Sequence, residues 1–118
     1  MAKRFTETEK WQDKFFRSLD NEHKLLWLFL LDNCNHAGIW EVDWELVKFR
    51  LKIDFDEKSV LKIFGDRIHQ FDNNNKWFIK PFTKFQYKDL NPTVKAHYSV
   101  IEKLKEYDLE KEIDNFVF

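Results

Sequence analysis

A chain of 118 residues, 43% hydrophobic and 18% aromatic, has the size of one domain with one core, and its 13 Phe and 5 Trp mean that flat side chains fill much of that core. A net charge of −1 and a pI near 6.4 weigh, taken alone, against a nucleic-acid binder, while the single Cys34 excludes an internal disulfide and fits a reducing compartment. With 2 Gly and 2 Pro the chain has little linker character, its densest apolar run (Leu25 to Leu31) is too short to span a bilayer, and Met1 leads straight into polar residues without a signal peptide, so a cytoplasmic protein is expected.

From the amino terminus, Thr6 or Thr8 can cap a short helix in which Trp11, Phe15 and Leu19 recur at helical spacing and Phe16 widens the apolar face. Asp20 or Asn21 caps the next helix, apolar nearly all round from Leu25 to Leu31, which the segment from Asn33 to Gly38 closes. Ile39 to Val42 reads as a short strand. Asp43 then caps a helix from Trp44 to Leu51 with a period set by Leu46, Val47 and Arg50 or Leu51, and Ile53 to Phe55 connects it onward.

Asp56 caps a further helix in which Val60, Leu61 and Phe64 face one way and Lys58, Ser59 and Lys62 the other, and Gly65-Asp66 breaks it. Two strands, Ile68 to Phe71 and Trp77 to Ile79, flank Asn73-Asn74-Asn75 and Lys76 as a hairpin that Pro81 ends. Phe82, Phe85 and Gln86 predict a short helical turn before Tyr87. Asn91-Pro92 marks the start of a last helix, with Val94, Tyr98, Ile101, Leu104 and Tyr107 on one face. The residues beyond, ending Asn115-Phe116-Val117-Phe118, are ambiguous.

This order predicts a mainly α fold with a small β-sheet: a winged helix-turn-helix in one domain over residues 1–118. Its core spans about 20–81, a helical extension covers 5–19 and a bracing helix covers about 91–107. In that architecture the third helix, from about Asp56 to Phe64, is offered to the DNA major groove and the hairpin acts as a wing near the backbone. The groove candidates are therefore Lys58, Ser59 and Lys62, and the wing candidates are Asn73, Asn74, Asn75 and Lys76.

Lys neutralises phosphate or reaches guanine edges, and Asn pairs with adenine or contacts the backbone. An ordinary solvated face and a simple turn are the plain alternatives for these two groups. Lys80 and Lys84 continue a four-residue spacing from Lys76 across a strand, a Pro and a helix, so they count for their sign more than for their alignment. Charge is unevenly distributed: +1 over residues 1–20, −3 over 21–43, +4 over 44–88 and −3 over 89–118. The positive excess lies on the predicted DNA-facing unit.

Glu9-Lys10-Trp11, Phe15-Phe16-Arg17-Ser18-Leu19, Lys24-Leu25-Leu26-Trp27 and Leu31 to Trp40 resemble the amino-terminal region of phage replication-initiation proteins. Lys76-Trp77-Phe78-Ile79, Phe85-Gln86-Tyr87, Leu90-Asn91-Pro92, Lys95-Ala96-His97 and Ser99-Val100-Ile101 extend that resemblance over most of residues 5–107. The region is similar to the winged-helix domain of replisome organisers related to DnaD. The resemblance implies binding of double-stranded DNA at or near an origin in phage or prophage replication. Members of the family continue into a second helical domain, which would be the route to a replicative helicase or its loader. Two other readings keep the fold: a protein-interaction or homo-oligomerisation module, and a phage transcription regulator.

Asp32, Cys34 and His36 lie close together, but a structural zinc site takes four ligands with paired spacing, so no metal is expected. Cys34 lacks a recognisable His and Asn or Asp relay, and two glycines supply no phosphate loop or dinucleotide fingerprint. The expectation is no enzyme, no cofactor and no membrane partner. Trp40 and Trp44 can stack bases, although aromatic residues beside such a strand are more often core.

Overall fold

The computed structural model describes residues 3–113; the ambiguous stretch Asn115 to Phe118 lies outside them. The amino-terminal arm leads through a 3₁₀ turn, Thr8–Gln12, into α1 (Lys14–Ser18) and α2 (Asn21–Asn33). The central unit is β1 (Ile39–Glu41), α3 (Trp44–Leu51), α4 (Glu57–Phe64), β2 (Ile68–Phe71) and β3 (Lys76–Ile79). α5 (Phe82–Tyr87) and α6 (Lys95–Glu106) follow, with a last 3₁₀ turn at Glu110–Glu112. The three strands form one antiparallel sheet in the order β1-β3-β2. Mainly helical, with this small sheet, the domain is a winged helix-turn-helix carrying additional helices at both ends.

Carboxylate caps set the helix starts. Asp20, Asp43 and Asp56 accept backbone N–H bonds from His23, Leu46 and Ser59 at 2.8, 3.0 and 3.1 Å, satisfying donors that the first helical turn leaves unpaired. Asp13 does the same for Phe16 at 2.9 Å. That cap divides the amino-terminal helix expected from Trp11 to Leu19: Asp13 is extended, with ψ 130°, and separates the 3₁₀ turn from α1. The first turn is capped by the Glu7 carboxylate rather than by Thr6 or Thr8. Trp11 is left 55% exposed, its ring edge-to-face with Phe16.

The last helix also starts later than expected. The Asn91 side chain accepts from Thr93 N–H and Oγ1, and Val94 N–H donates to Asn91 O, closing a turn around Pro92. An Asn engaged in its own turn does not cap a helix, and α6 begins at Lys95. Val94, the residue that precedes it, and Tyr98 in its first turn are exposed, and the buried face is Val100, Ile101 and Leu104.

β3 lies between the other strands and is covered on both sides, so Trp77, Phe78 and Ile79 are all buried. Period-two alternation sends Trp77 and Ile79 into a larger core with Trp40, α1 to α4 and Phe82. Phe78 points the other way, into a smaller core with Ile39, Leu90, Val100, Ile101 and Leu104. The carboxy-terminal helix is therefore a brace on the second sheet face. Trp40, Trp44 and Trp77 meet edge-to-face with centroids 5.2 to 5.5 Å apart, a favoured aromatic geometry.

The loop between α2 and β1 is fixed by close approach. Gly38 has φ +87°, and a Cβ there would stand 2.9 Å from Phe82 Cβ, so both its backbone and its surroundings call for glycine. Asn35 Oδ1 accepts from Ala37 and Ile39 N–H, and Tyr87 Oη donates to His36 O at 2.6 Å. Arg4 donates to Cys34 O at 2.6 Å, and Gln86 exchanges two hydrogen bonds with the Phe5 backbone, strapping the amino-terminal arm across α2 and α5. Among the described residues no helix is long and apolar enough to cross a membrane.

Candidate nucleic-acid interface

α3 and α4 are held in a helix-turn-helix by their first turns. Trp44 Nε1 donates to Glu57 Oε2 at 2.6 Å, while the Phe55 ring, in the connection, meets His23 of α2. The bond to Trp44 has an electrostatic consequence, because Glu57 is the one acid in the sequence of α4 and it is half-buried against α3. With Val60 and Phe64 fully buried, the outward side of α4 presents Lys58, Ser59, Lys62 and Ile63. Lys58 and Lys62 make no ion pair among the described residues, although Lys58 is near enough to help hold the Asp56 carboxyl below its ordinary range.

The larger causes of that depression are the Ser59 hydroxyl, donating to Asp56 Oδ2 at 2.8 Å, and the Ser59 N–H. Ser59 therefore spends its hydroxyl proton on the cap and offers outward an acceptor oxygen.

The wing is a tight turn. Asp72, Asn73 and Asn74 have φ of 54, 57 and 65°, left-handed backbone that Asn tolerates better than most residues, and all three Asn side chains are exposed. Asn75 is tied by its backbone, donating to Asp72 O and accepting from Val42 N–H.

Lys76 faces Glu41 directly across the β1–β3 pairing and approaches Asp72 and Glu41 at 3.3 and 3.7 Å. The Asp72 carboxylate chiefly, then Glu41, raises its ammonium above the ordinary lysine range. Lys80 is drawn to Glu112 at 3.2 Å, and His69 Nδ1 is 3.9 Å from the same carboxylate. Lys84 is exposed on α5. The spacing of Lys76, Lys80 and Lys84 thus leads to three separate settings, whereas α4 brings Lys58, Ser59 and Lys62 together on one face.

The end of α3 carries a group that helical periodicity did not single out. Phe49 on α3 is 62% exposed, with the Arg50 guanidinium 5.4 Å and the Lys52 ammonium 4.9 Å from its ring centroid. Arg50 points outward, leaving Val47 and Leu51 as the inward positions. An apolar residue set between Lys48 and Arg50 was the available signal.

A groove of about 790 Å³ runs between the amino-terminal arm, α2 and α5, with Trp11, Phe16, Trp27, Phe82 and Phe85 among its walls. Arg67 stacks over the Phe15 ring at 3.7 Å beside it. Cys34 is buried, its thiol pushed up to about 12 by desolvation, and no group of three or more metal-binding side chains occurs among the described residues. Trp40 is buried and Trp44 half-buried, which makes them core aromatics. Comparison with protein-family models, curated proteins and solved structures finds no match in any of the three.

Proposed function

We propose that this chain is the DNA-binding winged-helix domain of a phage or prophage replication initiator, offering the outward face of α4 to duplex DNA. The observation that carries the reading is the separation of charge on α4: Glu57 is bonded inward to Trp44 while Lys58 and Lys62 stand outward and make no ion pair among the described residues. Lysines so placed neutralise phosphates and reach guanine O6 and N7 in the major groove. Arg50 and Lys52 add cations on the adjoining helix, and Asn73 and Asn74 give the wing polar contacts to sugar and phosphate. The role in initiation rests on the sequence resemblance, as does a helicase or its loader as a further partner through a domain beyond this chain.

Fluorescence anisotropy with a labelled duplex at about 50 and 200 mM salt tests the reading. Binding is expected to weaken steeply between the two conditions, because each phosphate contact releases counterions. A folded sample that does not bind, or binds without salt dependence and is unaffected by Lys58→Ala, overturns it.

The groove lined by Trp11 and Phe85 favours a second reading, a protein-interaction or self-assembly module. Light scattering coupled to size exclusion separates the two. A concentration-independent monomer that binds DNA counts against self-assembly.

A further inference from the structure

We propose that the end of α3, Phe49 with Arg50 and Lys52, is a stacking platform for an unpaired nucleobase, so that the protein prefers DNA in which a duplex adjoins an opened or single-stranded step. The inference rests on the DNA-binding reading and deepens it by naming the form of DNA.

A lone exposed apolar side chain is ordinary. Phe49 differs in its neighbours, since cations from the next residue and from the helix cap both lie over its ring. Lys52 is the C-cap of α3 with φ 61° and ψ 32°, left-handed backbone where Gly or Asn would be the relaxed choice. A lysine held there against backbone preference places its ammonium beside Phe49.

A base in a single strand presents one flat face with a phosphate on either side, and proteins bind it with an aromatic ring and flanking cations. On binding, Arg50 and Lys52 would move from the ring to the phosphates and a ring face would take the base. The nearest acids in the chain are Glu45, exposed one turn earlier, and Asp54, drawn to Lys48 at 3.6 Å.

Two labelled probes test this by anisotropy: a blunt duplex, and the same duplex with a short single-stranded overhang. The expected result is binding to the overhang probe about tenfold tighter, within the range of one base–aromatic stack. Phe49→Ala should make the two affinities equal and Phe49→Trp should preserve the preference. Lys52→Gly, relieved of the left-handed strain, should melt no lower than the parent protein yet lose several-fold of the preference. Equal binding of both probes by the parent protein, or an intact preference in Phe49→Ala, overturns the platform; salt-sensitive duplex binding lost in Lys58→Ala/Lys62→Ala would then leave the DNA-binding reading standing. Failure to bind either probe overturns both.

Discussion

Two pairs of lysines with the same four-residue spacing, one on α4 and the other at the start of β3 and just past its end, are differently committed. Lys58 and Lys62 project from α4 with no carboxylate paired to them among the described residues, whereas Lys76 is shared between Asp72 and Glu41 and Lys80 is held by Glu112. The pairs are alike in sequence and in formal charge. What separates them is the register of β1 on β3, which sets Glu41 opposite Lys76, and the return of the chain after α6, which brings Glu112 to Lys80. Positive charge available to a ligand is thus a property of the folded surface and cannot be counted from the chain.

The largest effect is expected from Lys58→Ala/Lys62→Ala. Duplex affinity should fall by about tenfold or more, and the plot of log affinity against log salt should flatten by about two, near one unit for each lost phosphate contact. Thermal melting should be nearly unchanged, since both side chains are exposed.

A smaller effect of opposite sign is expected from Glu112→Gln. Releasing Lys80 should raise duplex affinity by about two- to threefold at low salt, where unpaired surface charge acts most strongly. If affinity is unchanged, the pairing is not what withholds Lys80.

Acid should weaken the anchoring of α4. Asp56 has a folded pKa below its ordinary value because Ser59 donates to the charged form. Its contribution to stability is therefore fully present above the unfolded value, near 4, and is lost as the pH falls through the lower folded value. Asp20 behaves alike through His23. A circular-dichroism melting series from neutral pH downward should show a midpoint falling below about pH 4, and Asp56→Ala should start lower and lose part of that slope.

The smallest effect belongs to Asn74→Gly on the wing. Gly accepts φ 65° without strain, so the melting temperature should hold or rise slightly, while duplex affinity should change by less than about twofold if the wing contributes only polar contacts.

The fold was readable where the signal is local. Asp20, Asp43 and Asp56 are caps in the sequence and caps in the structure, and the strands on either side of the Asn run pair as a hairpin. It was less readable where two local signals compete: Asp13 caps a new helix inside an apparent apolar period, and Asn91 closes a turn instead of starting a helix. On the candidate interface, the outward positions of α4 follow from helical period alone. The engagement of Glu57 by Trp44, 13 positions earlier, does not, because it depends on how two helices meet. Phe49 was missed since an apolar residue on a helix reads as core until its neighbours are placed.

The meeting of Trp40, Trp44 and Trp77 carries an optical consequence. Indoles about 5 Å apart and edge-on share their excitation, so these three should act as one chromophore with a near-ultraviolet dichroism that vanishes when β1, α3 and β3 separate. Trp11, half out in the groove, should emit as a solvated indole at longer wavelength. The domain thereby carries spectral reporters without any label: the tryptophan cluster for the integrity of the sheet and helix-turn-helix, and Trp11 for whatever enters the groove beside the amino-terminal arm.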